Sequence, residues 1–276
     1  MRQIPTAQVL RPGIPGRELR RLAPVPSLGP GAPAARMALT EMPRAALDLT
    51  ALATMAPALA AERRGDGHPV LVLPGMVGGD VSTLGLRRYL TWLGYSVSGS
   101  GIGMNAAPTE AVVTGLRARL RGLADASGRP VSIIGWSLGG LYAHELARRA
   151  PGSVRQVVTL GSPIRLARTR GQATSRLFDR FSHLHVAPSL VARPWTEAGP
   201  LRVPATSVYT RSDGVVSWQS CLLRPGKRRQ NIEVYGSHLG LVLNPTVLHV
   251  LAARLAQRAE TWRPFRPGPL TRHLYP

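Results

Sequence analysis

Five residues, Gly135-Trp136-Ser137-Leu138-Gly139, constrain this chain more than any other stretch. They follow the apolar run Val131-Ser132-Ile133-Ile134 and precede Leu141 to Arg149, a segment that reads as a helix. The pattern is strand, tight turn, helix, with a serine at the apex. A turn this sharp is strained, and side chains two positions either side of the serine would meet the neighbouring strand and helix. Gly135 and Gly139 remove that clash. The serine hydroxyl then stands above the sheet, and the N-terminus of the following helix offers unpaired N–H groups and a positive dipole end beneath it.

From His68 onward the chain alternates between short apolar runs and longer amphipathic segments. The runs Val70–Leu73, Tyr95–Ser98, Val131–Ile134, Val154–Leu160, Ala205–Thr210 and Ile232–Tyr235 read as strands. A helix is expected from Leu84 to Leu93, with Asp80 as its N-cap, another from Thr109 to Ala124, and a closing one from Pro245 to Arg258. Strands alternating with helices imply an α/β fold: a mostly parallel sheet with helices on both faces. A chain of 276 residues is long enough for one such domain with a substantial core. Between the fourth and fifth recognised strands, Ile164 to Val203 form a connection far longer than usual, expected to be a small cap over the carboxyl ends of the strands.

The domain organisation follows. Residues 1–32 carry many Pro and Gly without periodicity and read as an extended leader. Residues 34–63 hold Met37, Leu39, Met42, Leu47, Leu52, Met55 and Leu59 at near-helical spacing, broken by Pro43 and Pro57. They read as one or two amphipathic helices packed on the domain rather than lying on a membrane. The division is therefore 1–65 for leader and helical segment and 66–276 for the α/β domain, with the cap at about 164–203.

Charge excludes more than it assigns. The net charge is +21, and of 35 basic residues all but Lys227 are arginine. These are dispersed along the chain instead of gathered on one helix or face, which argues against a specific nucleic-acid partner. Weak attraction to anionic membrane surfaces or acidic substrates is the expected consequence. The one cysteine, Cys221, forms no intrachain disulfide and reads as a buried apolar side chain. No early apolar core of a secretory signal and no apolar run of membrane-spanning length is visible, so a cytoplasmic protein is expected.

In this setting the serine turn resembles the nucleophile elbow of the α/β-hydrolase superfamily, in its esterase and lipase branch. The matching stretches are Leu73-Pro74-Gly75-Met76, Gly135 to Gly140, Gly161-Ser162-Pro163, Ser212-Asp213-Gly214 and Gly236-Ser237-His238. The resemblance covers about residues 66 to 260. Leu-Pro-Gly-Met is similar to the His-Gly-Met oxyanion loop of bacterial lipases, with proline in place of histidine. Gly-Trp-Ser-Leu-Gly-Gly is also similar to carboxylesterases acting on acyl-carrier methyl esters. The leader and the 34–63 segment depart from the minimal fold, and the resemblance is silent about them.

The resemblance implies a catalytic order of serine, acid, histidine. Carboxylates after Ser137 and before the last plausible base are Glu145, Asp179, Glu197, Asp213 and Glu233. Glu145 lies along the elbow helix, Asp179 and Glu197 belong to the cap, and Glu233 is inside a strand. Asp213 alone follows a strand directly, at the rim where a ligand would bind. Of the later histidines, His249 falls mid-helix and His273 in the tail. His238 follows the last strand. The expected triad is Ser137, Asp213 and His238. The oxyanion hole is expected from the N–H groups of Leu138 and of Met76, or of Val77 if the loop is shifted by one. Trp136, Met104 and Phe178 are expected to line an acyl pocket. His183 and His185 lack the company of a thiol or of more than one carboxylate, and no metal or cofactor is expected.

Together these imply a serine hydrolase acting on a small-molecule or lipid ester through an acyl-enzyme. Acyl transfer or thioester cleavage on the same triad is the near alternative. Dehalogenase chemistry is disfavoured, because it would want a carboxylate at position 137. A noncatalytic hydrolase-fold protein binding an acidic partner is the alternative of another class. Oligomeric state is left open.

Overall fold

The computed structural model describes residues 33, 35–105, 109–165, 201–258 and 261–276. The leader 1–32, Phe178, His183, His185 and most of the expected cap lie outside them.

Two helices come first, α1 (Ala35–Leu39) and α2 (Glu41–Ala60), followed by β1 (Pro69–Leu73), α3 (Leu84–Trp92) and β2 (Ser96–Gly99). Then come α4 (Glu110–Ser127), β3 (Val131–Trp136), α5 (Leu138–Arg149), β4 (Val154–Leu160), β5 (Ala205–Tyr209), β6 (Arg229–Glu233) and α6 (Pro245–Leu255). The six strands form one sheet in the order β2-β1-β3-β4-β5-β6, every pair parallel. Because all strands run the same way, their carboxyl ends share one edge, where loops can gather around a ligand.

Burial on both faces explains the continuous apolar runs. Every residue of β1 and β3 is buried. Side chains of β1 alternate between two cores: Val70 and Val72 pack with Leu86, Leu90, Leu248 and Leu251 of α3 and α6 on one face. Leu71 and Leu73 pack with Leu116, Leu120, Leu141 and Leu146 of α4 and α5 on the other. Local signals set the helix ends. The Thr109 side chain accepts the Val112 N–H at 3.3 Å to start α4, and Gly128, in the left-handed conformation at φ 62°, stops it. Asn244 caps α6, with Pro245 in the first turn, where a missing N–H goes unnoticed.

Three expectations need correction. The last strand lies at Arg229–Glu233 instead of 232–235; at the sheet edge Ile232 alone is buried, so an apolar run is not required there. Asp80 caps nothing. Its carboxylate accepts the N–H groups of Ser100 and Gly101 and the Ser100 hydroxyl, tying the start of α3 to the end of β2. In α2 the apolar positions do not all face inward: Leu39 of α1 and Met42, Leu47 and Leu49 of α2 are exposed, whereas Glu41 and Asp48 are buried. Only the second half behaves as expected, with Leu59 buried and Leu52 packed on the core. Pro43 sits in the first turn of α2 and Pro57 near its end, so the helix continues through both.

Candidate active site

Ser137 joins β3 to α5 with φ 53° and ψ −120°, one of two non-glycine residues with positive φ among those described. Such backbone strain is worth about 1–3 kcal/mol and persists only where neighbours hold it. Here they do: the Ser137 N–H donates to the Leu160 carbonyl of β4 at 2.9 Å, and the turn is wedged against β1. A Cβ on Gly139 would lie 2.3 Å from the Leu73 oxygen, so only glycine fits.

The acid and the base stand on the next strands. Asp213 follows β5, and His238 follows β6; both are almost wholly buried. His238 Nδ1 lies 2.7 Å from Asp213 Oδ2. The other carboxylate oxygen accepts the N–H groups of Val215 and Val216 at 2.8 and 2.6 Å. Asp213 is therefore fixed as an acceptor, and His238 donates from Nδ1, which leaves Nε2 of the neutral ring as a base. Burial disfavours the imidazolium, but the charge and hydrogen bond of Asp213, helped by Glu41, outweigh it and raise the His238 pKa above its ordinary value.

The structure brings Ser137 to the same strand edge as this pair. Trp136, beside the serine, donates its indole N–H to the His238 carbonyl at 3.1 Å, and the two rings stand 5.9 Å apart. No hydrogen bond joins Ser137 Oγ to His238 among the described residues; nucleophile–base contacts are commonly loose without substrate. The loop after β1 closes the other side: a Cβ on Gly75 would come 3.2 Å from the Ser137 Cβ.

Asn105, wholly buried and absent from the sequence reading, holds that loop. Its backbone carbonyl accepts the Val77 N–H at 2.8 Å and its N–H donates to the Gly78 carbonyl at 2.9 Å. Its side chain donates to the Pro74 carbonyl at 3.0 Å and accepts the Tyr142 hydroxyl of α5 at 2.8 Å. The Val77 N–H is thus committed, and Val77 is the second non-glycine residue with positive φ, at 63°. No hydrogen bond among the described residues engages the N–H groups of Met76 or Leu138.

Of the expected pocket residues, Trp136 is buried at the end of β3 and Met104 is exposed. Cys221 is buried, and burial together with the nearby Asp213 charge pushes its thiol up, which leaves it an unreactive core side chain. Glu145 pairs with Arg149 along α5, and His249 with Glu62, so neither joins the site. Two further acids do: Glu41 and Asp48 of α2 reach the loops of Asp213 and His238. A signal was present, since both interrupt the inward stripe that Leu52, Met55 and Leu59 continue.

No family model and no curated protein matches the chain. Solved structures do resemble it. Lipase B of Aspergillus fumigatus superposes with a TM-score of 0.53 at 16% identity, over 72% of this chain and 55% of that one. A lipase of Bacillus licheniformis gives 0.51 at 15% identity, over 71% of this chain and 95% of that one. A monoacylglycerol lipase of Paleococcus ferrophilus gives 0.50 at 14% identity, over 70% and 96%. At this level the likeness concerns the fold: the chain has the α/β-hydrolase fold.

Proposed function

We propose that this chain, an α/β-hydrolase in fold, is a serine hydrolase that cleaves carboxylic esters through Ser137, His238 and Asp213. The observation that carries the reading is the buried His238–Asp213 pair at 2.7 Å, at the same strand edge as a serine held at φ 53°. His238 Nε2 takes the Ser137 proton as Oγ attacks the ester carbonyl carbon. The carbonyl electrons move to oxygen, and the N–H groups of Met76 and Leu138 receive that charge. Met76 is preferred to Val77, whose N–H is already bonded to Asn105. Each such donor is worth about 10²–10³-fold in kcat. Collapse expels the alkoxide, which takes the proton from His238 and leaves an acyl-Ser137 ester. Water, deprotonated by His238, then attacks the acyl carbon. The second collapse returns the proton to Ser137 and releases the acid. Asp213 keeps its proton partner on Nδ1 throughout.

The solved structures of similar fold are named lipases, which supports an ester as substrate. Exposed Met104, with Trp136 beside the serine, is the candidate wall for its acyl group.

The test is the intact mass after exposure to a fluorophosphonate, for wild type and Ser137→Ala, followed by turnover of esters of increasing acyl length. One adduct on wild type alone, with ester turnover lost in Ser137→Ala, is the expected result. Folded wild type that takes no adduct and cleaves no ester overturns it. An adduct with acyl transfer to an added alcohol, in place of hydrolysis, moves the same residues to transferase chemistry.

A further inference from the structure

Helix α2 lies outside the alternating strands and helices, yet it presents charge inward. Glu41, Arg44 and Asp48 are spaced three and four apart, so they share one helix face. Their contacts converge on two loops. Glu41 Oε1 accepts the Gly214 N–H at 2.7 Å and Glu41 Oε2 accepts the Leu239 N–H at 3.1 Å. These are the residues immediately after Asp213 and after His238. Arg44 is held by Glu41 at 2.9 Å and donates to the carbonyls of Ser212 at 2.6 Å and Gly236 at 3.2 Å, on the preceding side of each loop. Asp48 accepts the Ser237 N–H at 3.1 Å and its hydroxyl at 2.8 Å, and the Asn244 amide at 2.7 Å.

Burying a carboxylate is expensive unless its oxygens find donors, and a helix that only covered a sheet would turn apolar groups inward. Helix α1 and the first half of α2 do the reverse. Leu39, Met42, Leu47 and Leu49 face out, while Glu41 and Asp48 are 3% and 7% exposed. Only 14 of the 276 residues are acidic, so burying two of them on one helix face is not an accident of composition. The loops are also shaped for this contact. A Cβ on Gly240 would lie 1.9 Å from Asp48 Oδ2, and one on Gly214 would lie 2.4 Å from the Met37 backbone of α1.

From this juxtaposition we infer that Glu41, Arg44 and Asp48 are positioning residues that lock the Asp213 loop to the His238 loop. The inference rests on the triad reading above. Within the loops, Ser212 Oγ and Thr210 Oγ1 donate to the Gly236 carbonyl at 2.8 and 3.2 Å, and α2 clamps that junction from outside. A misplacement on the order of 1 Å between acid and base costs about 10²-fold in rate, which is what such a clamp prevents. Glu41 has a second effect that Asp48 lacks. The charged groups acting on His238 are Asp213 and Glu41, and both favour the imidazolium. Asp48 acts on Ser237 and Asn244 instead.

The test compares wild type, Glu41→Gln, Asp48→Asn and Asp213→Asn, using kcat and KM for p-nitrophenyl butyrate across pH and the rate of fluorophosphonate labelling. Glu41→Gln is expected to lower kcat about tenfold or more with KM within about twofold. The acid limb of its kcat/KM profile moves to lower pH. Asp48→Asn lowers kcat in the same way with the limb unmoved. A thermal melt accompanies each variant. Should either lose its cooperative transition, Arg44→Lys takes its place: it keeps a cation beside Glu41 but removes the fork to Ser212 and Gly236. Wild-type kcat and pH profile in Glu41→Gln and Asp48→Asn, with Asp213→Asn strongly impaired, overturn the positioning role alone. Losses that merely follow the unfolded fraction in every variant overturn it as well. A wild type that is never labelled at Ser137 overturns the triad reading instead.

Discussion

Gly161 measures how little room the candidate acid and base leave between them. It ends β4 at φ 53°, a left-handed conformation that an L side chain enters at about 1–2 kcal/mol. A Cβ there would lie 3.0 Å from His238 Nδ1, 3.3 Å from Asp213 Oδ2 and 2.8 Å from Leu241 Cδ1. Two penalties therefore coincide in Gly161→Ala: backbone strain and a wedge at the hydrogen bond that fixes the imidazole. Relief by moving Leu241 alone would leave the pair intact; relief by moving His238 would not. The backbone strain adds its share in either case. The expected outcome is a loss of kcat/KM on the order of 10²-fold, with stability lowered by about 1–2 kcal/mol. Steady-state kinetics and a urea melt on the same preparation check it. Wild-type kinetics with only the stability loss would show that Leu241 yields and the acid–base pair does not.

At the scale of elements, sequence and structure agree where burial is two-sided. β1, β3, β4 and β5 are read from apolar runs because a parallel sheet covered on both faces demands them. The elbow and the Asp213 loop are read because each follows such a strand; the His238 loop is read from the buried apolar pair Ile232 and Val234, at the end of β6 and just beyond it. What was illegible is what tertiary contact decides. β6 reads Arg-Gln-Asn-Ile-Glu, and its polar side chains find partners only in the folded chain: Gln230 bonds the Phe265 backbone and Asn231 the Leu223 backbone. Asp80 looks like a cap, but a closer set of donors on Ser100 and Gly101 takes its carboxylate. The inward acids of α2 interrupt an apolar stripe in the sequence, but what they bind is decided only by the loops they meet. Asn105 is the clearest instance, a polar residue in a Gly-rich connection that nothing local marks. It braces the loop after β1 from inside, and Asn105→Ala would leave the Tyr142 hydroxyl and the Pro74 carbonyl without it. The expected result is a stability loss of about 1–3 kcal/mol. A fall in kcat of about tenfold or more should accompany it with KM little changed, because the loop carries the proposed oxyanion donor. Chemical denaturation and ester kinetics decide it; an unchanged kcat would mean that the loop holds its shape without Asn105.

The whole molecule carries a pH dependence that the candidate site alone would not have. His144 lies on α5 beneath the elbow, buried, and its Nε2 has no hydrogen-bond partner among the described residues. Burial first, then the positive charges of Arg148 and Arg229, push its pKa down to about 3. His68 is lowered too, chiefly by burial, despite its contact with Asp66. Both histidines are therefore neutral in the folded chain at pH values where the unfolded chain would protonate them. Between the ordinary value of 6.5 and about 3, the unfolded state binds the extra proton at His144, so folding stability falls as pH drops through that window. His238 has the opposite sign: its raised pKa stabilises the fold below the ordinary histidine value, and that share is lost as pH rises through the folded value. The two effects lie on opposite sides of the ordinary histidine value and are separable. A chain of net charge +21 also repels itself more as its few carboxylates protonate, so stability must be compared at one ionic strength. Urea melts of wild type and His144→Leu from pH 7 to pH 4 make the separation. Wild type should lose up to about 1.4 kcal/mol per pH unit more than His144→Leu, the slope of one proton. Because the substitution leaves the charge repulsion of the rest of the chain in place, a shared decline belongs to that repulsion and the difference belongs to His144. Parallel curves would mean that His144 opens to solvent and takes its proton without unfolding the chain.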